Sequence, residues 1–236
     1  MTDKKSNSGN DVIWLEDQIP FSQRFEDTYF SKTDGRAETS HVFLGGNNLP
    51  QRWHNQQDFM IVELGFGTGL NFLETLRQWN RIGNSPARLD FVSFELYPLD
   101  ADSMRKAHAK WPELDEISTE LTSRWIQDAD MQQIEFDNNV TLSVFASDAN
   151  ARLPRFELSA DAFFLDGFSP AKNPELWSAE LLQSVFDHTK PGGTFATYTA
   201  AGWVRRNLES AGFETEKIKG FANKRHMLIG RRPKDG

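Results

Sequence analysis

Short apolar runs recur along the chain, and most precede a stretch whose apolar residues fall three or four apart. Phe59-Met60-Ile61-Val62 is such a run, and Leu70, Phe72, Leu73 and Leu76 beyond it can share one buried helix face. The same rhythm predicts strands over 89–95, 140–145, 162–166 and 193–198, with helices over 99–111, 174–189 and 202–211. Two last runs, 213–219 and 226–230, read as a closing strand pair. Strands alternating with helices predict an open, mostly parallel α/β sheet. The stretch 113–138 is polar, acidic and weakly periodic, and reads as helix plus loop. Upstream, 12–15 and 41–44 read as short strands, the second closed by the turn signal Gly45-Gly46-Asn47-Asn48. Residues 1–57 are expected to form a small N-terminal extension or cap, and 58–236 the main domain. Within that cap, Phe21, Phe25, Tyr29 and Phe30 are expected to pack against the main sheet, unless one or two of them line a substrate pocket.

The first main strand meets its helix at Glu63-Leu64-Gly65-Phe66-Gly67-Thr68-Gly69-Leu70-Asn71. Strand, glycine turn and helix bring a ligand up to bare backbone at a helix N-terminus. Glycine suits the turn because it accepts positive φ and lets another molecule approach closely. The spacing is G-x-G-x-G. Leu70 stands where a dinucleotide fingerprint needs its third glycine, and no Gly-Lys-Ser/Thr follows as in a P-loop. This form suits S-adenosylmethionine (SAM), a nucleotide-like sulfonium without phosphates. Helix N–H groups can meet its carboxylate, and a nearby acid its ammonium. A glycine-rich turn in some other α/β protein is the alternative for the motif alone.

Open α/β sheets bind ligands outside the carboxyl ends of their strands. Glu63, Glu95, Asp148 and Asp166 stand at such ends. A carboxylate at Glu95 can accept two hydrogen bonds from a ribose diol, and Asp148 can accept from an adenine amino group. Asp166 lies nearest to where a transferred group would emerge. Any one of these acids could be no more than a helix cap. Four on consecutive strands, beside the glycine turn, favour SAM. After Asp166 comes Gly167-Phe168-Ser169-Pro170-Ala171-Lys172-Asn173-Pro174, a rigid loop able to fix a carboxylate and carbonyls around an incoming amine. An alkylamine is mostly protonated at neutral pH. Asp166 is too weak a base to deprotonate it unless its pKa is raised. Its expected work is to orient the neutral amine and stabilise the cationic product. The plainer alternative is that Pro170 and Pro174 only shape a loop and Lys172 is solvated.

Composition narrows the setting. Cysteine is absent, which excludes disulfides and thiolate metal sites, and no metal is expected. No apolar run approaches a membrane span of about 18 residues. The first ten residues are polar, without a secretory signal, and are expected to be a disordered lead. A cytoplasmic location without membrane attachment is expected. Net charge is -8, which argues against nucleic-acid binding through overall charge but leaves room for a local basic patch.

Several stretches together resemble one family. They are Asp27-Thr28-Tyr29-Phe30-Ser31, Val42-Phe43-Leu44-Gly45-Gly46-Asn47, the glycine turn through Phe72, and Phe94-Glu95. They continue with Phe164 to Pro174, Pro191-Gly192-Gly193-Thr194, Ala201 to Arg206, and Gly220-Phe221 with Lys224-Arg225. Over about residues 12–231 the chain resembles the methyltransferase domain of the bifunctional tRNA 5-methylaminomethyl-2-thiouridine biosynthesis proteins, and the related stand-alone enzymes (the MnmC/MnmD family). The resemblance implies a Rossmann-like methyltransferase fold with a seven-stranded sheet, one strand antiparallel, and helices on both faces. It implies SAM-dependent methylation of the aminomethyl nitrogen on a tRNA wobble uridine. In the bifunctional relatives an FAD-dependent oxidase domain makes that amine. This chain lacks the second glycine fingerprint FAD would need, so that domain, fused or separate, is an expected partner and FAD is not expected here.

The candidate cofactor residues are Glu63, Gly65, Phe66, Gly67, Thr68, Gly69, Asn71, Glu95, Leu96, Asp148, Ala149, Asp166 and Gly167. Asp166, Phe168 and Lys172 are the candidates for the chemistry. Phe30, Pro170, Asn173, Arg205, Arg206, Lys224 and Arg225 are candidates for the substrate and the tRNA anticodon arm. Lys217, Lys219, Arg231 and Arg232 extend that basic set. Methylation of a small amine or a protein side chain, or a SAM-binding module without turnover, are the competing readings.

Overall fold

The computed structural model describes residues 11–55, 58–82 and 87–234. The expected disordered lead, 1–10, lies outside them. Strands β1 (Val12–Trp14), β2 (Pro20–Ser22) and β3 (Asp27–Thr28) form a small antiparallel sheet. After it come helix α1 (Gly35–Thr39), β4 (Asp58–Leu64), α2 (Leu70–Asn80), β5 (Arg88–Phe94), α3 (Ala101–His108) and α4 (Asp115–Ser123). The chain continues through β6 (Met131–Phe136), β7 (Val140–Phe145), α5 (Ala149–Arg152), β8 (Ala160–Leu165) and α6 (Ala179–Asp187). It closes with β9 (Thr189–Thr197), α7 (Gly202–Ala211), β10 (Glu214–Lys219) and β11 (His226–Arg231).

The main sheet has eight strands in the order β10-β11-β9-β8-β4-β5-β7-β6, not the seven expected. The central five are parallel. Two strands, β11 and β6, run against their inner neighbours β9 and β7, where one was expected. The extra strand is β6, inside the stretch read as helix plus loop. Its burial alternates, but Gln132 occupies a buried position, so the sequence shows no clean apolar alternation. The Gln132 amide is satisfied locally: it accepts from Ile126 N–H and donates to Ile126 C=O.

Because parallel strands are covered on both faces, they read as continuous apolar runs. Ile61, Phe91 and Phe164 face one core with α2, α3 and α4, while Val62, Val92 and Phe163 face the other with α6 and α7. Residues 41–44 are not a strand. Ser40–Gly45 is helical and continues α1, whose N-cap Asp34 accepts from Ala37 N–H. A continuous run of three apolar residues cannot separate buried strand from buried helix. Val42, Phe43, Leu44 and Trp53 join the same core as α2, so the N-terminal segment shares the main hydrophobic cluster.

The segment is fastened at Asn47, which is fully buried. Its side chain donates to Phe43 C=O at 2.9 Å and accepts from Thr194 Oγ1 on β9 at 2.6 Å. Helix α6 is shorter than the expected 174–189: Pro174–Trp177 is a separate 3-10 turn, Ser178 caps α6 through Leu181 N–H, and Thr189 begins β9. Asn47→Ala should lower stability by about 2–3 kcal/mol, since Thr194 and a buried carbonyl lose partners together. Urea unfolding of the variant against the parent checks this.

Candidate active site

One cleft, about 900 Å³, opens along the carboxyl ends of β8, β4, β5 and β7. That is enough for a nucleoside-sized ligand with a second group beside it. In the glycine turn beside the cleft, Gly65, Gly67 and Gly69 all take left-handed φ. Gly65 shows why no larger residue serves: a Cβ there would lie 2.3 Å from the Asp166 carbonyl oxygen. The close approach lets β4 and β8 end side by side, with Asp166 N–H bonded to Leu64 C=O at 3.0 Å. Helix α2 starts directly after the turn, with no side chain closing its first turn. Below, His108 Nε2 lies 2.8 Å from Thr68 C=O and Nδ1 2.8 Å from Ser118 Oγ. Burial lowers the His108 pKa to about 4, so the imidazole stays neutral and Nε2–H donates to the carbonyl while Nδ1 accepts from the hydroxyl.

The four strand-end acids divide into distinct environments. Glu63 does not line the cleft. It is fully buried beneath it, accepting from Ser93 Oγ at 2.7 Å and Asn71 Nδ2 at 2.9 Å. Burial pushes its pKa up to about 8. Glu63 was expected to meet a ligand's ammonium, but the structure places its side chain off the cleft, linked to it through Asn71. The same Asn71 amide donates to Asp166 Oδ2 at 2.6 Å and accepts from Thr39 Oγ1 at 2.6 Å. Its two N–H bonds and its carbonyl are all engaged, which fixes its orientation.

Asp166 is part-open to the cleft, and burial raises its pKa to about 7 against the opposing Asn71 hydrogen bond. Glu38 and Asp27 add like charge, while Lys224 pulls the other way. A carboxylate raised this far is a stronger base than an ordinary aspartate. Glu95 ends β5, accepting from Gly67 N–H at 2.9 Å and Tyr97 N–H at 2.8 Å, and burial raises its pKa. Each oxygen keeps acceptor capacity for a diol. Asp148 caps α5 through Asn150 N–H at 2.9 Å while also lining the cleft.

Of the other cofactor candidates, Gly65, Phe66, Gly67, Thr68, Asn71, Leu96, Ala149 and Gly167 line the cleft, and Gly69 does not. Phe30, Phe168, Lys172, Asn173 and Lys224 line it too. Pro170 is buried outside the lining. Arg205, Arg206 and Arg225 lie elsewhere, and Arg205 Nε is held by Glu209 and Thr215. Arg231 pairs with Glu214, and Arg232 donates to the carbonyls of Phe186 and Thr189. The basic set is thus divided, with only Lys224 in the cleft.

The N-terminal segment supplies lining that was not among the candidate site residues: Arg24, Asp27, Thr28 and Glu38. It clamps the loop after β8. Asp27 Oδ2 accepts from Ser169 N–H at 3.0 Å, Glu26 pairs with Lys172, and the Phe25 ring stacks on Phe168 at 4.6 Å. Tyr29 meets Phe168 edge-on at 5.1 Å. Of the aromatic stretch, Phe25, Tyr29 and Phe30 line the cleft and Phe21 does not. Tyr198, also missed, donates to Gly167 C=O at 2.8 Å.

A glycine turn on a helix N-terminus, a diol-ready carboxylate and a part-buried acid at the next strand make the features of a SAM-dependent methyltransferase. Comparison agrees. The model of an S-adenosyl-L-methionine-dependent methyltransferase family matches residues 112–233, and the chain belongs to that family. It is 43% identical over 93% of its length to the tRNA 5-methylaminomethyl-2-thiouridine biosynthesis bifunctional protein MnmC of Azoarcus sp. (strain BH72), spanning 35% of that protein. The MnmC of Ralstonia nicotianae is 44% identical over 92% of the chain, which spans 33% of it. The chain thus matches the methyltransferase domain of these proteins and spans about a third of their length. MnmC2 from Aquifex aeolicus has the same fold, with TM-score 0.77 at 23% identity, covering 96% of this chain and 72% of that one.

Glu63 gives a stability test. Its folded pKa, about 8, lies above the ordinary 4.5, so the folded protein holds a proton that the unfolded chain releases between those values. Stability without ligand therefore falls as pH rises through that window. Glu63→Gln removes the term. It should stabilise the protein by about 2–4 kcal/mol at pH 8 and by almost nothing near pH 4.5. Melting curves across that range measure it.

Proposed function

We propose that this methyltransferase transfers a methyl group from SAM to the aminomethyl nitrogen of a tRNA wobble uridine, giving the 5-methylaminomethyl group. The observation that carries the reading is Asp166. Its pKa of about 7 and its place beside the glycine turn suit it to an alkylamine acceptor. The names of the MnmC relatives support the tRNA substrate.

In this reading Gly65 to Gly69 and the N-terminus of α2 hold the SAM methionine end, Glu95 the ribose, and Asp148, Ala149 and Leu96 the adenine side. The cofactor, when bound, supplies an electrophilic methyl on a sulfonium. Asp166 Oδ accepts one proton from the substrate ammonium. The freed nitrogen lone pair forms the new N–C bond as the S–C bond breaks, and the product is a secondary ammonium. Asn71 holds Asp166 in place, so alignment carries much of the rate. The clamp from Phe25 and Asp27 holds the loop at Phe168–Ser169 beside Asp166.

An acidic protein must still hold phosphates. Lys217, Lys219 and Arg225 on the β10–β11 hairpin are exposed, and Lys224 of the same hairpin lines the cleft. That hairpin is the proposed anticodon-arm contact, in a cytoplasmic setting. An FAD-dependent oxidase, in the same protein or another, would supply the amine.

Nucleoside mass analysis tests the assignment. Protein and SAM incubated with tRNA bearing aminomethyl-uridine should add one methyl to the wobble nucleoside. No gain with tRNA, but turnover on a free amine, would move the substrate to a small molecule; SAM binding without any turnover would leave a binding module. Asp166→Asn should lower kcat/KM by about 100-fold. For the parent, kcat/KM should rise with pH through about 7 as Asp166 loses its proton. The variant should lack that limb and keep only the rise toward the amine's own pKa, about 10.

A further inference from the structure

The amine site contains a cation of its own. Lys224, on the turn between β10 and β11, reaches into the cleft. Its Nζ lies 2.9 Å from Glu38 Oε1 and 4.2 Å from the centroid of the Tyr198 ring. Both partners are fixed independently of Lys224. The other Glu38 oxygen, Oε2, accepts from Ser31 N–H at 3.0 Å, and Tyr198 is tied by its hydroxyl to Gly167 C=O beside Asp166. A buried carboxylate and an aromatic face meeting at one nitrogen are the elements that recognise an alkylammonium.

We propose that Glu38 and Tyr198 form the pocket for the substrate's ammonium, and that Lys224 occupies it until the substrate arrives. This rests on the reading of the protein as an amine methyltransferase. Glu38 is 8% exposed, so leaving its charge without a cation is costly. The Lys224 side chain is 44% exposed, and an ion pair so open to water contributes little while ordering a long side chain. The pocket therefore favours a cation, Lys224 at rest and the substrate or product ammonium in turn, but grips Lys224 weakly. An incoming primary ammonium can take its place, whereas an alcohol or a neutral amide would leave Glu38 uncompensated. Glu38 and Tyr198 thus select an amine over a hydroxyl acceptor, while Asp166 takes the proton. Lys224, once displaced, swings toward the exposed hairpin face that carries Arg225.

The test is by NMR on the full chain with lysine Cε labelled by carbon-13, in the presence of S-adenosylhomocysteine. Lys224→Met identifies the Lys224 signal. Methylammonium chloride, against sodium chloride at equal ionic strength, should move that signal saturably to the position of exposed lysines. In Glu38→Gln it should start at that position and not respond. A Lys224 signal in the parent that ignores methylammonium overturns the proposal. Kinetics add a second readout. Glu38→Gln should raise KM for aminomethyl-uridine tRNA by about tenfold with a smaller effect on kcat, and Glu38→Asp should recover part of it. A fall in kcat alone, with KM unmoved, would also overturn the pocket. If Lys224 is displaced but the parent methylates no tRNA, the pocket stands and the tRNA reading falls. If tRNA is methylated while Lys224 stays in place, the reverse holds.

Discussion

The Asn71 amide is the point on which the site depends. It joins two carboxyls, Glu63 and Asp166, at the ends of neighbouring strands β4 and β8. Two acids brought so close and out of water would repel one another and lose their solvation. One amide that donates to both, with Thr39 locking its carbonyl, makes the arrangement tolerable. The cost is carried as raised pKa values, about 8 for Glu63 and about 7 for Asp166. The upper acid is thereby poised near neutrality and the lower one stays protonated as a support. What begins as a packing problem at two strand ends becomes the acid–base property of the cleft.

The N-terminal segment completes the site. Thr39 and Glu38 come from α1, Asp27 from β3, and Phe25 and Tyr29 from the turns around it. Asp27, Glu26, Phe25 and Tyr29 meet the loop after β8 through one hydrogen bond from its backbone, one ion pair and two ring contacts. A bare α/β sheet would leave that loop open to water on its outer side. The segment also shares the main core through Val42, Phe43 and Leu44, so the cover is anchored rather than merely laid over the cleft.

The charge distribution is consistent with an amine substrate. Six acids, Asp27, Glu38, Glu95, Asp148, Asp166 and Glu175, line one cleft against four cations, Arg24, Lys32, Lys172 and Lys224. In the proposed reading, acids in the cleft favour a cationic acceptor, while Lys217, Lys219 and Arg225 of the β10–β11 hairpin stand exposed outside it.

The sequence by itself determined the alternating strands and helices, the glycine turn and the four acids, because these depend on local periodicity and on residues whose chemistry shows at short range. It also marked the 166–174 loop. It could not distinguish strand from helix at 41–44, where three adjacent apolar residues are buried in either form. It hid β6, because Gln132 faces inward and satisfies its amide against Ile126. It placed Glu63 with the ligand, since a strand-end acid looks the same whether it faces the cleft or the core. It grouped Arg205, Arg231 and Arg232 with Lys224, since a count of positive residues does not show which are already held by Glu209, Glu214 and backbone carbonyls. Only the tertiary structure brought Glu38, Tyr198 and Lys224, from three distant parts of the chain, to one nitrogen. Such a site is made by the crossing of elements, and no spacing along the chain encodes it.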